Sequence, residues 1–449
     1  MNTKMERKIT QMLLQWKDGK LPGSPMRGRM PVLLGGARQV GKTWAALDFG
    51  EANYSDVAYV NLEASKDAAQ IFDGDLEPTR ITRLLSALTG HNIVEGTTLL
   101  VLDEIQACQR ALTSLKYFAE SGLDYHVLGT GSLLGVAVNR QEVSFPVGKV
   151  HQLQMYPLDF EEYLWARGKR ELAQLIRESQ VSLQPLALHE TALAAYYEYL
   201  AVGGMPQVVA DFAARGDFNF ALAIQQGIES AFVADMAKYS TAGETAKALA
   251  AWKSIPGQLA KENHRFKYRG IQEGARSRTY ESAIDWLQAA GLVAKCELVE
   301  AGRVPLAARV DSTAFKLYLL DTGLLVSKSS LPPNQVALGL DKLGGWAGSL
   351  VENAVSNALS ASGIANYFWA SKGTAEVDFV AQDAQAEVIP IEVKAGDNVR
   401  ARSLARFREL YDPPYAIRLS AKNFGERDQL ISMPLYASFL LGEQLGWAR

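Results

Sequence analysis

Residues Gly36-Ala37-Arg38-Gln39-Val40-Gly41-Lys42-Thr43 set two glycines five positions apart and follow the second with a lysine and a hydroxyl. Glycines let backbone N–H groups converge on one point. A lysine adds a mobile positive charge, and a threonine hydroxyl can face a hard cation. That combination suits the polyphosphate of a nucleotide with Mg²⁺. In this reading Lys42 reaches the β- and γ-phosphates of ATP and Thr43 faces Mg²⁺. Gly36, Ala37, Arg38, Gln39, Val40 and Gly41 line the phosphates, with Trp44 next to them in the chain.

A second motif completes the first. Leu99-Leu100-Val101-Leu102 is an apolar run that ends in Asp103-Glu104. Asp103 is expected to hold Mg²⁺ through water, and Glu104 to polarise the attacking water. Gly129-Thr130-Gly131-Ser132 follows the next apolar run. A hydroxyl there, Thr130 or Ser132, would meet the γ-phosphate or orient the water. A plain strand-ending turn explains either residue singly as well.

A different chemistry is spelled near the C-terminus. Asp378 lies in Ala375-Glu376-Val377-Asp378-Phe379, and Glu392 and Lys394 lie in Ile389-Pro390-Ile391-Glu392-Val393-Lys394. A period of two puts Glu392 and Lys394 on one strand face, opposite Ile391 and Val393. A hairpin turning at Gln382 to Gln385 would bring Asp378 beside Glu392. Two carboxylates that close call for a cation, Mg²⁺ being the natural one. Lys394 would orient a water and steady charge building on a phosphate. An exposed amphipathic hairpin is the alternative. Arg400, Arg402, Arg406 and Arg408 follow without an acid among them, a phosphate track or a solvated face. Lys261, Arg265, Lys267, Arg269, Arg276 and Arg278 form a second basic stretch, with Tyr268 and Tyr280 among them. It is read evenly as a DNA-facing helix start or as a packing surface.

These residues need elements to position them. Strands are expected at Val32–Leu34, Val57–Leu62, Thr98–Leu102 and His126–Gly129, with helical patterns between them. The alternation argues for an α/β, doubly wound sheet over residues 31–157, after a helix and linker in residues 1–30. Residues 158–240 read as helical, opened by the capping pair Asp159 and Glu162 and bent at Gly203-Gly204-Met205-Pro206. Residues 241–330 read as helix, short helix, helix and two strands, the order of a winged helix. After Leu331-Pro332-Pro333, residues 334–449 hold a helix with Glu352, the Asp378/Glu392 hairpin and the basic helix.

The phrases GARQVGKT, LLVLDEIQ, GTGS, YPLDFEEYL and GGMP together resemble a family of prokaryotic AAA ATPases. Those proteins carry a C-terminal domain of unknown function with a restriction-endonuclease-like fold. The resemblance implies PD-(D/E)XK nuclease-type residues at Asp378, Glu392 and Lys394, with Glu352 as the helix carboxylate and Glu352, Asp378 and Glu392 as metal ligands. The literal Pro-Asp pair is absent, since Val377 precedes Asp378. Where the family usually has Gly-Arg before the PLDFEEYL phrase, this chain has Gly148-Lys149. Lysine lacks the planar fork of arginine; Arg140 is a substitute.

Composition bounds the rest. With 449 residues and a net charge of -3 the chain is no polybasic nucleic-acid coat, so a DNA surface must be local. Two distant cysteines, Cys108 and Cys296, make neither a disulfide framework nor a zinc site. No apolar stretch is long enough to span a membrane, and a cytoplasmic location is expected. The reading is Mg²⁺-dependent ATP hydrolysis coupled to a nuclease-like, DNA-acting domain, with ATP and ADP as ligands and a homo-oligomer as the assembly. A non-nucleolytic switch that binds DNA or protein, and a protein-remodelling ATPase, are the alternatives.

Overall fold

A computed structural model describes all residues except 1–4, 25–27, 133–144, 239–241, 262, 372, 374, 397–401 and 448–449. Arg140 and Arg400 therefore lie outside the described residues. The chain divides into two compact units.

The first unit is Glu6–Tyr156 with Ala289–Gly291. Its sheet holds β1 (Val32–Gly35), β2 (Asp56–Asn61), β3 (Thr98–Asp103), β4 (His126–Thr130) and β5 (His151–Gln154), in the order β2-β3-β4-β1-β5. Every pairing is parallel. A parallel sheet is covered on both faces, which is why β3 is an unbroken apolar run. Leu99 to Leu102 are fully buried. Helices connect the strands. Pro78–Thr89 starts with proline in its first turn, under a Glu77 side chain that accepts from the Thr79 and Arg80 N–H groups. The strand β5 was not foreseen: His151-Gln152-Leu153-Gln154 is too short and too polar to read as a buried strand. The order matters for chemistry. It sets the carboxyl ends of β1, β4 and β3 side by side, with the end of β4 between the glycine loop and Asp103-Glu104.

The second unit is Met1–Met5, Pro157–Gln288 and Leu292–Arg449. Its first part is helical, as expected. Asp159 and Glu162 form the reciprocal capping box at helix Phe160–Ala166. The bend at Gly203–Pro206 separates helices His189–Val202 and Pro206–Arg215. Gly204 can only be glycine, because a Cβ there would lie 2.0 Å from the Leu158 carbonyl oxygen.

The rest is built on a mixed sheet. Its strands are β6 (Val293–Val299), β7 (Val310–Leu319), β8 (Tyr367–Ala370), β9 (Glu376–Gln382), β10 (Val388–Val393), β11 (Ala416–Ser420), β12 (Gly425–Arg427) and β13 (Leu430–Pro434). They run in the order β12-β13-β11-β10-β9-β8-β6-β7. Helices Ala242–Leu259 and Ser277–Ala289 precede the β6–β7 hairpin, the element order expected of a winged helix. The hairpin is not a separate wing, however. β6 also pairs in parallel with β8, so the break at Leu331-Pro332-Pro333 does not end the sheet. Parallel pairing of strands so far apart in sequence leaves no local signal. Both cysteines are free and buried.

Candidate functional sites

The glycine loop follows β1 and opens helix Lys42–Asn53. Gly36 has φ 144°, and a Cβ there would lie 2.3 Å from the Met155 carbonyl oxygen, so no side chain fits. Gly41 caps the helix in the left-handed region at φ 92°. Lys42 is buried, and its ammonium donates to the carbonyls of Gly36 at 3.0 Å and Ala37 at 2.8 Å. Burial pushes it down to about 8, while Glu104 and Asp103 act to hold the charge. The loop is braced from outside. Arg7, before the first helix, donates to the carbonyls of Val40 at 2.9 Å and Tyr156 at 2.7 Å. A lone arginine in a basic N-terminal segment gave no hint of this. Trp44 is partly exposed on the first turn of the helix.

Asp103 is where the motifs meet. Thr43 Oγ1 donates to its Oδ1 at 3.0 Å, and Thr130 Oγ1 donates to the same oxygen. Its Oδ2 accepts from the Tyr59 hydroxyl at 2.7 Å and from Asn61 Nδ2 at 3.4 Å. A hydroxyl and a carboxylate oxygen this close are a fitting donor set for Mg²⁺. Glu104 sits in the left-handed region at φ 50° and accepts from Gln106 Nε2. Ser132 Oγ lies 3.5 Å from the same Glu104 oxygen. Thr130 thus meets Asp103, and Ser132 meets Glu104. Lys149 is turned to a surface ion pair with Glu120 at 3.0 Å.

Tyr59 and Asn61 were missed because β2 carries no motif. Their positions in an alternating strand two residues apart are the one available signal. Tyr59→Phe is expected to raise the Mg²⁺ concentration for half-maximal ATP hydrolysis about tenfold, with the rate at saturating Mg²⁺ little changed. An unchanged Mg²⁺ titration curve would rule out this orienting role.

The second constellation lies in the mixed sheet. β9 and β10 are antiparallel, with Phe379 opposite Ile391. One step along that register sets Asp378 opposite Glu392, as the hairpin reading required. Lys394 is 2.6 Å from Glu392 Oε1 and 3.7 Å from Asp378 Oδ2. Asp378 Oδ2 also accepts from the Val393 N–H at 2.8 Å. Burial, then the charges of Glu352 and Glu392, raise Asp378 well above the usual carboxylate range. Glu392 Oε2 is buried without a hydrogen-bond partner. A buried carboxylate oxygen left open, facing a second carboxylate, fits a cation.

Glu352 does not join that pair in a metal-holding group. Among the described residues no cluster of three or more His, Cys, Asp or Glu is placed to hold a metal. The reason is local. Glu352 Oε1 lies 3.0 Å from His264 Nδ1, and Oε2 accepts from the Tyr318 hydroxyl at 2.7 Å and from Lys316 Nζ at 3.3 Å. Burial alone would raise its pKa; Lys316, with His264 and Tyr318, outweighs it and holds the carboxyl below its ordinary value. Lys316 was not foreseen, although a single lysine inside Thr313-Ala-Phe-Lys-Leu-Tyr-Leu-Leu320 is a legible oddity.

The basic stretches divide. Arg265 turns inward, 2.7 Å from Glu376. Lys261, Lys267, Arg269, Arg276 and Arg278 are exposed. Arg402 and Arg406 are exposed on helix Arg402–Tyr411, Arg406 pairing with Glu409 at 2.6 Å, while Arg408 donates to the Asp428 carbonyl at 2.6 Å. No helix of the described residues is long and apolar enough to cross a membrane.

Three family models match the chain: an AAA domain over residues 28–164, and domains of unknown function over residues 193–335 (DUF8612) and 347–436 (DUF4143). Curated proteins give no match. A Walker-type ATPase of Pyrococcus abyssi is 13% identical, covering 72% of this chain and 96% of that one at a TM-score of 0.46. The Aeropyrum pernix ORC1 protein, solved in complex with DNA, is 15% identical, covering 75% and 95% at 0.31. The Thermotoga maritima RuvB Holliday junction branch migration motor is 14% identical, covering 67% and 90% at 0.30. Likenesses this loose carry no argument about the chain. The AAA match does, because it covers the glycine loop, Asp103-Glu104 and the Thr130 strand end in the order in which the sheet unites them. Over residues 28–164 the chain is an AAA-type P-loop domain, and its activity is that of an ATPase.

Proposed function

We infer that the ATPase is coupled to a phosphodiester-acting site in the second unit, with DNA as its substrate. The observation that carries this is the facing of Asp378 and Glu392 across β9 and β10, with Lys394 at 2.6 Å from Glu392 and Glu392 Oε2 open. Phosphodiester hydrolysis needs a deprotonated water for attack at phosphorus and compensation of the charge that builds on the phosphate oxygens. A divalent cation held by Asp378 and Glu392 would supply both, the role that Mg²⁺ is expected to play here. Lys394 is the one side chain of the constellation that can orient the water and also face the phosphate. Glu352 acts at one remove, holding Lys316 and His264 in the wall of the site. ATP binding at Lys42, Thr43 and Asp103 would then gate access of DNA, and a homo-oligomer is the assembly this reading favours.

A second reading rests on Lys394 itself. An ammonium between two carboxylates neutralises them without metal, which suits an ATPase switch that binds DNA and does not cut it.

The test is cleavage of supercoiled plasmid in Mg²⁺ or Mn²⁺, with and without ATP. Wild type is expected to nick or cut, and Asp378→Ala to abolish the cutting, a loss of at least about a hundredfold. Lys42→Ala reports the gating by ATP. Wild type that cuts under no condition, or Asp378→Ala that cuts as well as wild type, removes the nuclease reading. DNA-stimulated ATP hydrolysis without cutting would leave the switch. Stimulation by protein clients alone would leave a remodelling ATPase.

A further inference from the structure

The strand beyond β10 carries a group that the nuclease-type pattern does not name. β10 and β11 are parallel, with Glu392 opposite Arg418. Directly paired residues project from the same face of a sheet, roughly 5 Å apart. Arg418 therefore stands on the Asp378/Glu392 face, one strand further along the same row. It is half-buried, and its Nε is enclosed without a hydrogen-bond partner. Burial works to lower its pKa, and the Glu392 charge works against that.

Two neighbours are thus each left with an open, buried valence: Glu392 with an acceptor, Arg418 with a donor. A donor and an acceptor in adjacent rows could have satisfied one another. They do not, and Glu392 instead spends its other oxygen on Lys394. Leaving both unmade is destabilising, the more so because both groups are charged. Buried unpaired groups of this kind ask for a ligand that is absent from the protein alone. The open carboxylate oxygen is the side for a cation. The unpaired Arg418 N–H is the side for an anionic oxygen. A phosphodiester presents anionic oxygens in the plane that a guanidinium fork matches.

We propose that Arg418 binds a backbone phosphate of DNA next to the Asp378/Glu392 pair and sets the strand in place for Lys394. The assignment rests on the reading of this site as DNA-acting. Arg418 adds what Lys394 cannot. Lys394 offers a point charge shared with the two carboxylates, whereas Arg418 offers an unpaired Nε on a planar group of fixed geometry. In a row with Asp378 and Glu392, it also fixes which way the nucleic-acid backbone crosses the sheet: from β9 over β10 to β11.

The test uses the full-length chain and a fluorescein-labelled DNA duplex, with Ca²⁺ in place of Mg²⁺ and binding read by anisotropy across a salt series. Arg418→Met is expected to weaken binding about tenfold. It is also expected to reduce the slope of log K against log salt by about one, since one phosphate contact is lost. Arg418→Lys is expected to restore the slope while recovering only part of the affinity, because the charge returns without the fork. A purely structural arginine would move neither quantity in this pattern. A thermal melt reports folding, and if Arg418→Met fails to fold, Arg418→Gln and Arg418→Lys give the same reading of the slope. Wild-type affinity and slope in Arg418→Met, alongside cutting that depends on Asp378, would overturn the Arg418 assignment and leave the nuclease-like reading standing. A wild-type chain that does not bind the duplex would overturn both.

Discussion

Glu104→Gln is expected to bind ATP as wild type does and to lose hydrolysis by about 10²–10⁴-fold, the range for removing a positioned proton acceptor. The substitution keeps the size of the side chain and its ability to accept a hydrogen bond, and removes only the carboxylate. Binding survives because the phosphate-facing groups are elsewhere: Lys42 over the loop carbonyls, and Thr43 with Thr130 on Asp103 Oδ1. Hydrolysis is lost because Glu104 is the carboxylate that stands outside the Thr43–Thr130–Asp103 hydrogen bonds. Its left-handed backbone at φ 50° swings the side chain out of the line of β3, and Gln106 and Ser132 then fix the Oε2 oxygen. Asp103, one residue earlier, is already tied by four donors, Thr43 and Thr130 on one oxygen and Tyr59 and Asn61 on the other. The measurement is a pair: labelled-nucleotide binding at equilibrium, and single-turnover hydrolysis. Hydrolysis by Glu104→Gln at close to the wild-type rate would take the general-base role away from Glu104. Loss of binding together with hydrolysis would show that the carboxylate shapes the pocket and does not act on water.

The ease with which this site was read follows from how it is built. A phosphate loop is a run of eight consecutive residues whose function lies in backbone N–H groups, so its chemistry and its sequence spacing coincide. The acidic strand end is equally local. Asp378 and Glu392 were legible for a related reason, since a short hairpin converts sequence distance into register by simple counting. The parts that escaped are those set by pairing between distant segments. Arg7 braces Val40 across 33 positions of chain, and Tyr59 reaches Asp103 across 44. Arg418 stands beside Glu392 only because β10 and β11 pair in parallel across a helix. The wing expected of β6 and β7 was recognised as a hairpin, yet its parallel partner β8 could not be, because nothing in Tyr367-Phe-Trp-Ala370 names a strand some seventy residues earlier. Glu352 shows the same limit from the other side. The resemblance supplied its presence on a helix, whereas its actual partners come from β7 and from the His264 turn.

Lys316→Met is expected to be strongly destabilising to the second unit, although methionine brings no backbone strain. Lys316 is 1% exposed and lies 3.3 Å from Glu352 and 3.0 Å from Glu376, with its ammonium over the Phe368 ring. Burial acts to strip its proton, but Glu352, Glu376 and Asp378 outweigh burial and raise its pKa. Methionine fills the same space and removes the charge, so Glu352 keeps only His264 and Tyr318, and Glu376 only Arg265. Breaking a buried charge pair from one side costs about 3–5 kcal/mol, which in a unit of this size lowers the melting midpoint by roughly 10 °C. The sign of the pH dependence follows from the direction of the shifts. A lysine whose folded pKa is raised stabilises fully below its unfolded value of about 10.4 and loses that contribution as pH rises through the folded pKa. A glutamate whose folded pKa is lowered stabilises fully above its unfolded value of about 4.3 and loses that contribution as pH falls through the folded pKa. The deficit of Lys316→Met is therefore expected to shrink as pH falls from about 9 to 5, because Asp378 and Glu352, no longer opposed by Lys316, take up protons. Glu352→Gln added to Lys316→Met should recover part of the loss, because the orphaned charge goes with it. Melts of the four proteins across that range decide the matter. A single variant as stable as wild type, or a double variant no better than the sum of its parts, would show that the Lys316–Glu352 contact holds nothing together.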